Sequence, residues 1–430
     1  MTSPTEAAKL LANEAGIPVN GHYPLTDYGN AERLVAWHTE DLLFNHMWRK
    51  WLAWDGRRWS INNDEEVMRR AKATAREMYR QASEKAAAAA AEHDELKRKE
   101  IADSSTAMLK WAKQSESRRL LEAMIALAQS QPGIPVAAGD LDANHWVLNC
   151  PNGTVELHTG ELAEHRRDDL LTKLTDTTYD PDAKCPIWLA FLERIMEGNQ
   201  EMIAFLRRVI GYALTGMVNE HVLFVLWGTG RNGKSTFLNT LMGLLGDYAD
   251  KAPKDLLMAK DHQVHETETT VLYGARFVAA IETAEGRRIN EVQVKELTGG
   301  DPISARRMRE DHWTFWPTHK LFLATNHKPL IHGSDTGIWS RIRLIPFRVT
   351  IPAEERDKDL PEKLKQEWPG ILAWAVQGCL EWQEGGLQEP AGVWQATRAY
   401  RAQMDVVGDY LRDCCYIADD ARATAKDLHL

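Results

Sequence analysis

The segment that most constrains this chain is LFVLWGTGRNGKSTFLNTLMGLLG, residues 223–246. Five apolar residues lead into a run of glycines, a lysine and a serine, after which apolar residues return at helical spacing. Residues 228–235 match the pattern G-x-x-x-x-G-K-[ST] in full. We expect a strand, a glycine-rich turn and a helix that together bind phosphate, because the backbone N–H groups of the turn and the positive end of the helix face the same point.

The predicted contacts to a bound nucleotide all lie in this turn, and they are Gly228, Gly230, Asn232, Gly233, Lys234, Ser235 and Thr236. Lys234 supplies a positive charge for the phosphates, and Ser235 supplies a hydroxyl for Mg²⁺. ATP and Mg²⁺ are therefore the expected ligands. Nucleotide kinases, GTPases, ABC-type ATPases and helicases all use such a turn, so the remaining sequence must distinguish among them.

Composition sets broad limits on the rest of the chain. Its 430 residues are enough for two or three domains. The formal net charge of −10 means that a nucleic acid would have to be met by a local basic patch. No run of apolar residues is long enough to span a membrane, and the start lacks a signal-like pattern, which predicts a cytosolic protein. Five cysteines without C-x-x-C spacing argue against a disulfide framework and a structural zinc site.

The order of patterns along the chain predicts four regions. WRKWLAWDGRRW indicates a small hairpin or a helix-to-hairpin element at an Asp55–Gly56 turn, residues 64–131 are helical in pattern, and residues 146–162 indicate a β-hairpin. The predicted regions are an N-terminal arm (1–45), a mainly helical domain with a β-hairpin (46–185), an ATPase domain (186–395) and a C-terminal helical segment (396–430). The closing KDLHL has no helix cap, so we expect the chain to continue, or to have been cut, before a further domain.

The ATPase region is predicted to be α/β, with strands at 222–227, 276–281, 320–325 and 342–346. Polar residues end two of these strands. Glu282 is predicted at the tip of the strand beside the glycine-rich turn, where a Mg²⁺ ligand or a base that orients the attacking water is needed, and Glu285 is a second carboxylate nearby. Asn326 ends the third strand, where its amide can contact the γ-phosphate or the water. For Glu282 and Glu285 the alternative is a solvated surface charge, and for Asn326 it is an ordinary asparagine in a turn.

Arginines follow in two further segments. WSRIRLIPF places Arg341 and Arg343 on one side of an extended segment, and an arginine supplied by a neighbouring subunit would stabilise the transition state. ISARRMREDHWTFW predicts a basic hairpin that grips a phosphate backbone, and its candidate DNA contacts are Arg306, Arg307, Arg309 and His312. The alternative for Arg341 is an ordinary surface or salt-bridged arginine, and the alternative for the hairpin is a solvated hairpin without a ligand.

Taken in order, GTGRNGKST, RFVAAIETAEG, KELTGGDPISARRM, KLFLATNHKP and the arginine of WSRIRLIPF resemble the superfamily 3 helicases of the phage and plasmid primase-helicase branch, which are related to poxvirus-type primase-helicases. Upstream, NGTVELHTGEL, YDPDAKCPIWLAFLERI and LRRVIGYALTG resemble the helical domain that precedes the motor in that family. The resemblance covers about residues 140–400.

This resemblance implies an AAA+-like P-loop ATPase core, a hexameric ring and translocation along single-stranded DNA at a replication fork. Lys234 and Ser235 would bind nucleotide and Mg²⁺, Glu282 would be the second acidic motif and a metal ligand, Asn326 the sensor and Arg341 the arginine finger. Family members often have two adjacent acids in the second motif, whereas Ile281 precedes Glu282 here, so the division of roles between Glu282 and Glu285 stays open.

The first 140 residues show no acidic pattern typical of a primase, which predicts a helicase that works with a separate primase or initiator. Two alternatives stay open. The first is an AAA+ ATPase that remodels or loads a protein partner without unwinding DNA, and the second is a nucleotide-binding assembly module without useful turnover.

Overall fold

The structure is a computed structural model that describes residues 23–61, 64–253, 255–259, 267–282, 284–306, 312–332, 336–405 and 422. The chain divides into two compact units, residues 1–144 with 164–173 and residues 145–163 with 174–430. The predicted domain limits at 45, 185 and 395 stay a prediction. No helix in the described ranges combines the length and the apolar character that crossing a membrane requires.

The first unit contains four helices and a small antiparallel sheet among its described residues: α1 (Asp27–His38), β1 (Leu42–Asn45), β2 (Lys50–Trp54), β3 (Trp59–Ile61), α2 (Asp64–Ala91), α3 (Glu95–Ser115) and α4 (Arg118–Ala128). The predicted hairpin is confirmed, since β2 and β3 pair across a turn in which Asp55 Oδ1 accepts the N–H groups of Arg57 and Arg58, both at 2.9 Å. The predicted helical pattern of 64–131 is confirmed as three helices.

Residues 27–45 differ from the predicted arm, because they form α1 and β1 and pack into this unit. Their polar side chains are buried through contacts that local sequence does not show. Asn30 is 0% exposed, donates to Ser115 Oγ at 2.9 Å and accepts the indole N–H of Trp111 at 2.9 Å. Arg33 is 1% exposed and donates to the main-chain oxygen of Pro24 at 2.9 Å.

The second unit is α/β, and its elements among the described residues are β4 (Val147–Cys150), β5 (Gly153–Glu156), β6 (Glu161–Ala163), α5 (Pro186–Ile195), α6 (Gln200–Leu214), β7 (Leu223–Trp227), α7 (Lys234–Leu245), β8 (Ala249–Lys251), β9 (Phe277–Glu282), α8 (Glu291–Leu297), β10 (Ile303–Arg306), β11 (His312–Phe315), β12 (Lys320–Thr325), α9 (Thr336–Trp339), β13 (Ile342–Pro346), α10 (Leu360–Gln366), α11 (Trp368–Gly385) and α12 (Ala391–Met404). The four predicted strands are confirmed. A short polar strand, β8, adds a fifth that the apolar pattern did not predict.

Five parallel strands form the central sheet in the order β13-β7-β12-β9-β8. Both faces of the sheet are covered, which explains why β7 and residues 321–324 of β12 are continuous apolar runs. Alternate side chains of β7 enter two different cores, with Phe224 and Leu226 on the side of α6, α7 and α11, and Leu223 and Val225 on the side of α8, α12 and the β10–β11 hairpin. Because all strands run the same way, the turns that follow them gather at one edge.

A buried lysine holds the opposite, amino-terminal edge of this sheet. Lys320, the first residue of β12, is 2% exposed, and its ammonium group donates to the main-chain oxygens of Met217 at 3.2 Å, Thr318 at 3.1 Å and Thr215. Thr215 and Met217 lie just after the end of α6, where the helix dipole is negative. Burial, followed by the charge of Arg276, lowers the pKa of Lys320 well below its ordinary value.

We expect Lys320→Met to lower the free energy of unfolding by about 2–4 kcal/mol, because it leaves buried carbonyl groups without donors. The decrease should appear as a lower denaturant midpoint and a lower melting temperature, whereas Lys358→Met at an exposed position should change neither. Unchanged stability of the Lys320 variant would mean that the burial of the charge fully offsets its hydrogen bonds.

Candidate nucleotide site

The glycine-rich turn lies between β7 and α7, at the carboxyl edge of the sheet. A Cβ atom on Gly228 would come within 2.2 Å of the main-chain oxygen of Phe347, so only glycine fits there. Gly233 has φ of +86° and directly precedes α7, and a Cβ atom there would lie 2.6 Å from Ile195 Cγ2. The two glycines thus permit a close approach and a left-handed turn at the start of the helix.

Lys234 is the first residue of α7, and its side chain turns back over the glycine-rich turn. Its ammonium group donates to the main-chain oxygen of Gly228 at 2.7 Å, to Asn232 Oδ1 at 2.9 Å and to Asn326 Oδ1 at 3.3 Å. Lys234 is only 6% exposed, and burial lowers its pKa to about 8. Its three hydrogen-bond partners among the described residues are neutral oxygens, so none of them offsets the positive charge.

Neighbouring segments fix the shape of the turn. Asn232 is 2% exposed and donates through Nδ2 to the main-chain oxygen of Phe347 at 3.2 Å. The main-chain oxygen of Arg231 accepts the N–H of Ile351 at 2.8 Å, and Gly228 N–H donates to Thr325 O at 3.3 Å. The turn is therefore held by the chain that follows β13 and by β12.

Asn326 stands next to the turn because β12 is the direct neighbour of β7, with Thr325 opposite Trp227. The hydrogen bond to Lys234 joins two predicted site residues that lie 92 positions apart in sequence. The amide can therefore change partners when a phosphate occupies the turn.

Glu282 is placed differently from the prediction. We predicted its strand, β9, beside that of the glycine-rich turn, but β12 is inserted between β7 and β9, and Glu282 is opposite Thr325. Its main chain is thus two strand spacings, or about 10 Å, from the end of β7. Glu285 is exposed and lies 4.0 Å from the His327 ring. Both carboxylate-bearing residues stay at the predicted edge of the sheet.

The two hydroxyl residues after Lys234 have different surroundings. Ser235 is exposed, and among the described residues its hydroxyl makes no hydrogen bond, which fits a ligand of a metal ion placed at the turn. Thr236 is partly buried and lines a cavity of about 410 Å³ that adjoins the turn. The size of this cavity is within the range of small-molecule sites.

That cavity is apolar inside and charged at its margins. Its walls include Ile187, Phe191, Gly233, Ile351 and Leu360, with Arg194, Arg231, Glu355, Arg356 and Asp357 around them. Arg194 and Glu355 form an ion pair at 2.8 Å. The sequence analysis did not identify these residues, because they come from α5, the turn and the segment after β13, and no local pattern links them.

Arg341 lies at the opposite edge of the sheet from the turn. It directly precedes β13, whose first residue, Ile342, is opposite Leu223 at the start of β7. Five strand residues at about 3.3 Å each therefore separate Arg341 from the turn. Its Nη1 donates to Gly337 O at 2.8 Å, and its buried Nε has no hydrogen-bond partner within the described ranges. The structure does not bring Arg341 to the Lys234 of its own chain. Arg343 is paired with Glu389.

The predicted basic hairpin is confirmed as β10 and β11, a two-stranded antiparallel sheet. Arg306 and His312 are opposite one another and exposed, whereas Ile303, Ala305 and Phe315 are buried. Arg307 and Arg309 lie outside the described residues. The exposed tip residues thus stand on a strand pair that is anchored by its apolar face.

Sequence reasoning also missed Lys328, two residues after Asn326. Its ammonium group is 4.5 Å from the ring centroid of Trp227 and donates to Gln403 on α12 at 2.8 Å. A lysine two residues after an asparagine that ends a strand can be recognised in the sequence. Its aromatic partner cannot, because Trp227 lies at the end of another strand. This contact ties α12 to the chain that carries Asn326.

Two family models match parts of the chain. Residues 31–197 match the model described as "D5 N terminal like", and residues 226–341 match a "Family of unknown function (DUF5906)". The second match runs from the end of β7 to Arg341 and so includes every predicted site residue.

Similar proteins come from large DNA viruses. A protein named "Putative helicase" from Acanthamoeba polyphaga mimivirus is 26% identical over 66% of this chain and 32% of its own length. Another of that name from Invertebrate iridescent virus 6 is 24% identical over 73% of this chain and 36% of its own length. A "Putative primase" of African swine fever virus is 24% identical over 47% of this chain and 22% of its own length. The chain thus spans about a third of the length of the first two relatives.

Among solved structures, "The A form apo structure of NrS-1 C terminal region-CTR" matches with a TM-score of 0.53 and 10% identity, over 89% of this chain and 77% of that chain. At this identity the likeness concerns the fold. The chain therefore has the mixed α/β fold of that region, carries a D5 N terminal like segment, and is similar in sequence to viral proteins named as helicases and primases.

Proposed function

We propose that this protein is an ATP-driven replicative DNA helicase with an AAA+-like P-loop ATPase core. The observation that carries the proposal is the Lys234 ammonium group, buried beneath the glycine-rich turn and bonded to Asn326 at the tip of the adjacent strand. A triphosphate would meet the N–H groups of the turn, the amino end of α7 and this lysine together. Similarity to viral proteins named as helicases supports DNA as the second substrate.

Several groups of one chain would take part in the hydrolysis of ATP. The 410 Å³ cavity beside Thr236 would hold the nucleoside. Ser235, with Glu282, would hold Mg²⁺, which neutralises charge on the phosphates when bound. Asn326 would orient the water or the γ-phosphate, with Glu282 or Glu285 as the base. The Lys234 ammonium group would give up its hydrogen bond to Asn326 when the lysine turns toward the phosphates.

Arg341 would act on the nucleotide of a neighbouring copy. It lies at the far edge of the sheet from its own turn, so a second chain must place its turn against that edge. Contact between two unlike surfaces is head-to-tail, and repeated contacts of this kind form a ring when the rotation between copies closes. We propose a homohexamer on this basis and on the resemblance of the motifs.

The β10–β11 hairpin would grip single-stranded DNA. Arg306 and His312 are exposed at its tip end, and the chain places Arg307 and Arg309 between them. Arginines on a paired strand suit a phosphate backbone, and a sequence-independent grip suits translocation. A separate primase or initiator would load the ring.

The pKa of Lys234 gives a pH prediction. In the free protein it is about 8, so a growing fraction of the side chain is neutral above pH 8. A triphosphate favours the charged form and raises the pKa, so ATP binding should take up a proton between the two pKa values. We expect proton uptake near pH 8.5 and almost none near pH 6.5, with affinity falling as the pH rises.

Calorimetry in two buffers of different ionisation enthalpy measures this uptake. Lys234→Arg serves as the control, because its guanidinium stays charged at both pH values. Equal uptake by that variant would assign the proton to another group.

Unwinding of a fluorescently labelled fork tests the whole function. The proposal predicts strand separation that requires ATP, Mg²⁺ and a single-stranded tail, and that stops when one tail polarity is removed. ATP hydrolysis without strand separation on any tail would contradict the helicase assignment.

A further inference from the structure

A second cavity, of about 390 Å³, lies at the amino end of β13, between that strand, α9 and α12. Among the described residues that line it, three are arginines, Arg343, Arg398 and Arg401, and one, Glu389, is a carboxylate. The cavity is therefore locally positive in a chain whose formal net charge is −10. Such a site favours an anion over an apolar ligand.

One wall is an exposed aromatic ring. Trp394 on α12 is 51% exposed, and the guanidinium carbon of Arg398 lies 4.5 Å from its ring centroid. Within the part of the chain that the structure describes, Arg398 makes no hydrogen bond or ion pair besides this stacking. Its N–H groups thus remain available to an acceptor. Arg343, by contrast, is already bonded to Glu389 and to Ser340 O.

The cavity lies on the same edge of the sheet as the start of the basic hairpin. β11 leads through a short link into β12 at Lys320, and β12 and β13 begin on either side of β7. Their first residues are thus two strand spacings, or about 10 Å, apart. Hairpin residues Ile303 and Phe315 belong to the same hydrophobic core as Trp339 and Ile342 of the cavity region. A nucleic-acid strand that leaves the hairpin would therefore have this cavity within short reach.

We propose that the cavity binds one nucleotide unit of single-stranded nucleic acid, with the base stacked on Trp394 and the phosphate bonded to Arg398. Aromatic stacking with an adjacent arginine is the chemistry that binds single strands without sequence preference. The choice of a strand, as opposed to a free nucleotide, rests on the proposed function of the hairpin. The site lies beside Arg341, on the edge of the sheet that the proposed ring turns toward a neighbouring copy, so the nucleic-acid strand would pass close to that interface.

Fluorescence anisotropy with a labelled oligothymidylate, without ATP, tests the site in the full chain. Trp394→Ala should weaken binding by roughly 5- to 100-fold, and Trp394→Phe should restore most of it. Arg398→Ala should reduce the slope of log K against log salt by about one. Arg348→Ala, an exposed arginine beyond the other end of β13, should leave binding unchanged.

Three results would overturn the proposal. The first is binding by both Trp394→Ala and Arg398→Ala that equals the wild type while their melting temperatures are unchanged. The second is competition by free thymidine monophosphate as effective as that by the oligonucleotide, which would assign the site to a free nucleotide. The third is loss of self-assembly by mass photometry in place of loss of strand binding, which would assign it to a second copy.

The outcome is separable from that of the proposed function. A wild-type protein that binds the strand through Trp394 but never hydrolyses ATP would contradict the motor and support this site. If DNA stimulates ATP hydrolysis by the wild type while both variants bind the oligonucleotide as tightly as the wild type, the motor is supported and this site is contradicted.

Discussion

Replacement of Lys234 by alanine is expected to abolish nucleotide binding and to reduce ATP hydrolysis at least about 10²–10³-fold. The physical reason is the position of the ammonium group, which is buried under the turn and held only by the neutral oxygens of Gly228, Asn232 and Asn326. Alanine removes the ammonium group that the proposed site would place against the phosphates. We expect the variant to fold with a somewhat lower melting temperature, because three oxygens lose their donor.

Phosphate release and titration with a fluorescent ATP analogue measure the two effects. Lys113→Ala, at an exposed position on α3, is the matched control and should behave as wild type. A Lys234→Ala protein that retains a tenth of the wild-type rate would show that the turn is not where ATP reacts.

Replacement of Arg341 by alanine should leave ATP binding intact and reduce hydrolysis by about 10³-fold or more. The residue is one strand length away from the turn of its own chain, so its effect requires a neighbouring copy. Arg343→Ala is a close control, because Arg343 is on the same strand but paired with Glu389. Its rate should fall much less.

Mixing the two inactive proteins tests whether the site is shared. A chain with Arg341→Ala still has an intact turn, and a chain with Lys234→Ala still has Arg341, so a mixed ring contains some complete sites. With random mixing at equal amounts, about a quarter of the interfaces should be complete. Failure of the mixture to recover any hydrolysis, when the mixed rings are shown to form, would contradict action between subunits.

Much of the fold could be predicted from sequence, for identifiable reasons. The strands β7 and β12 are buried on both faces, so LFVLW and the LFLA of KLFLAT are apolar runs that indicate buried strands. The turn between β7 and α7 was recognisable because steric demands leave only glycine at Gly228 and Gly233. These signals lie within short segments, so they can be recognised in one sequence without knowledge of the fold.

The order of the strands could not be predicted in the same way. Nothing in the residues of β9 indicates that β12 lies between it and β7, yet this insertion puts Asn326, and not Glu282, next to the turn. The short strand β8 has the sequence ADK and is partly exposed, so it carries no apolar signal. Pairing over long sequence separations is a property of the folded chain.

Buried polar residues account for the largest difference in the first unit. Asn30 and Arg33 make α1 look like a solvated segment, but their hydrogen bonds reach Ser115 and Pro24. Likewise, the cavity beside the turn combines α5 with the segment after β13, which are about 160 positions apart, as the Arg194–Glu355 ion pair shows. Sites built from distant segments carry no sequence spacing by which to find them.

The most direct test of the central claim is the rate of ATP hydrolysis by the purified protein with and without single-stranded DNA, with Lys234→Ala as the blank. A motor that couples the Lys234 turn to a DNA-gripping hairpin predicts hydrolysis that single-stranded DNA stimulates and that is absent from the blank. Hydrolysis that disappears in the blank but is indifferent to DNA would contradict the helicase and would favour an ATPase that acts on a protein partner.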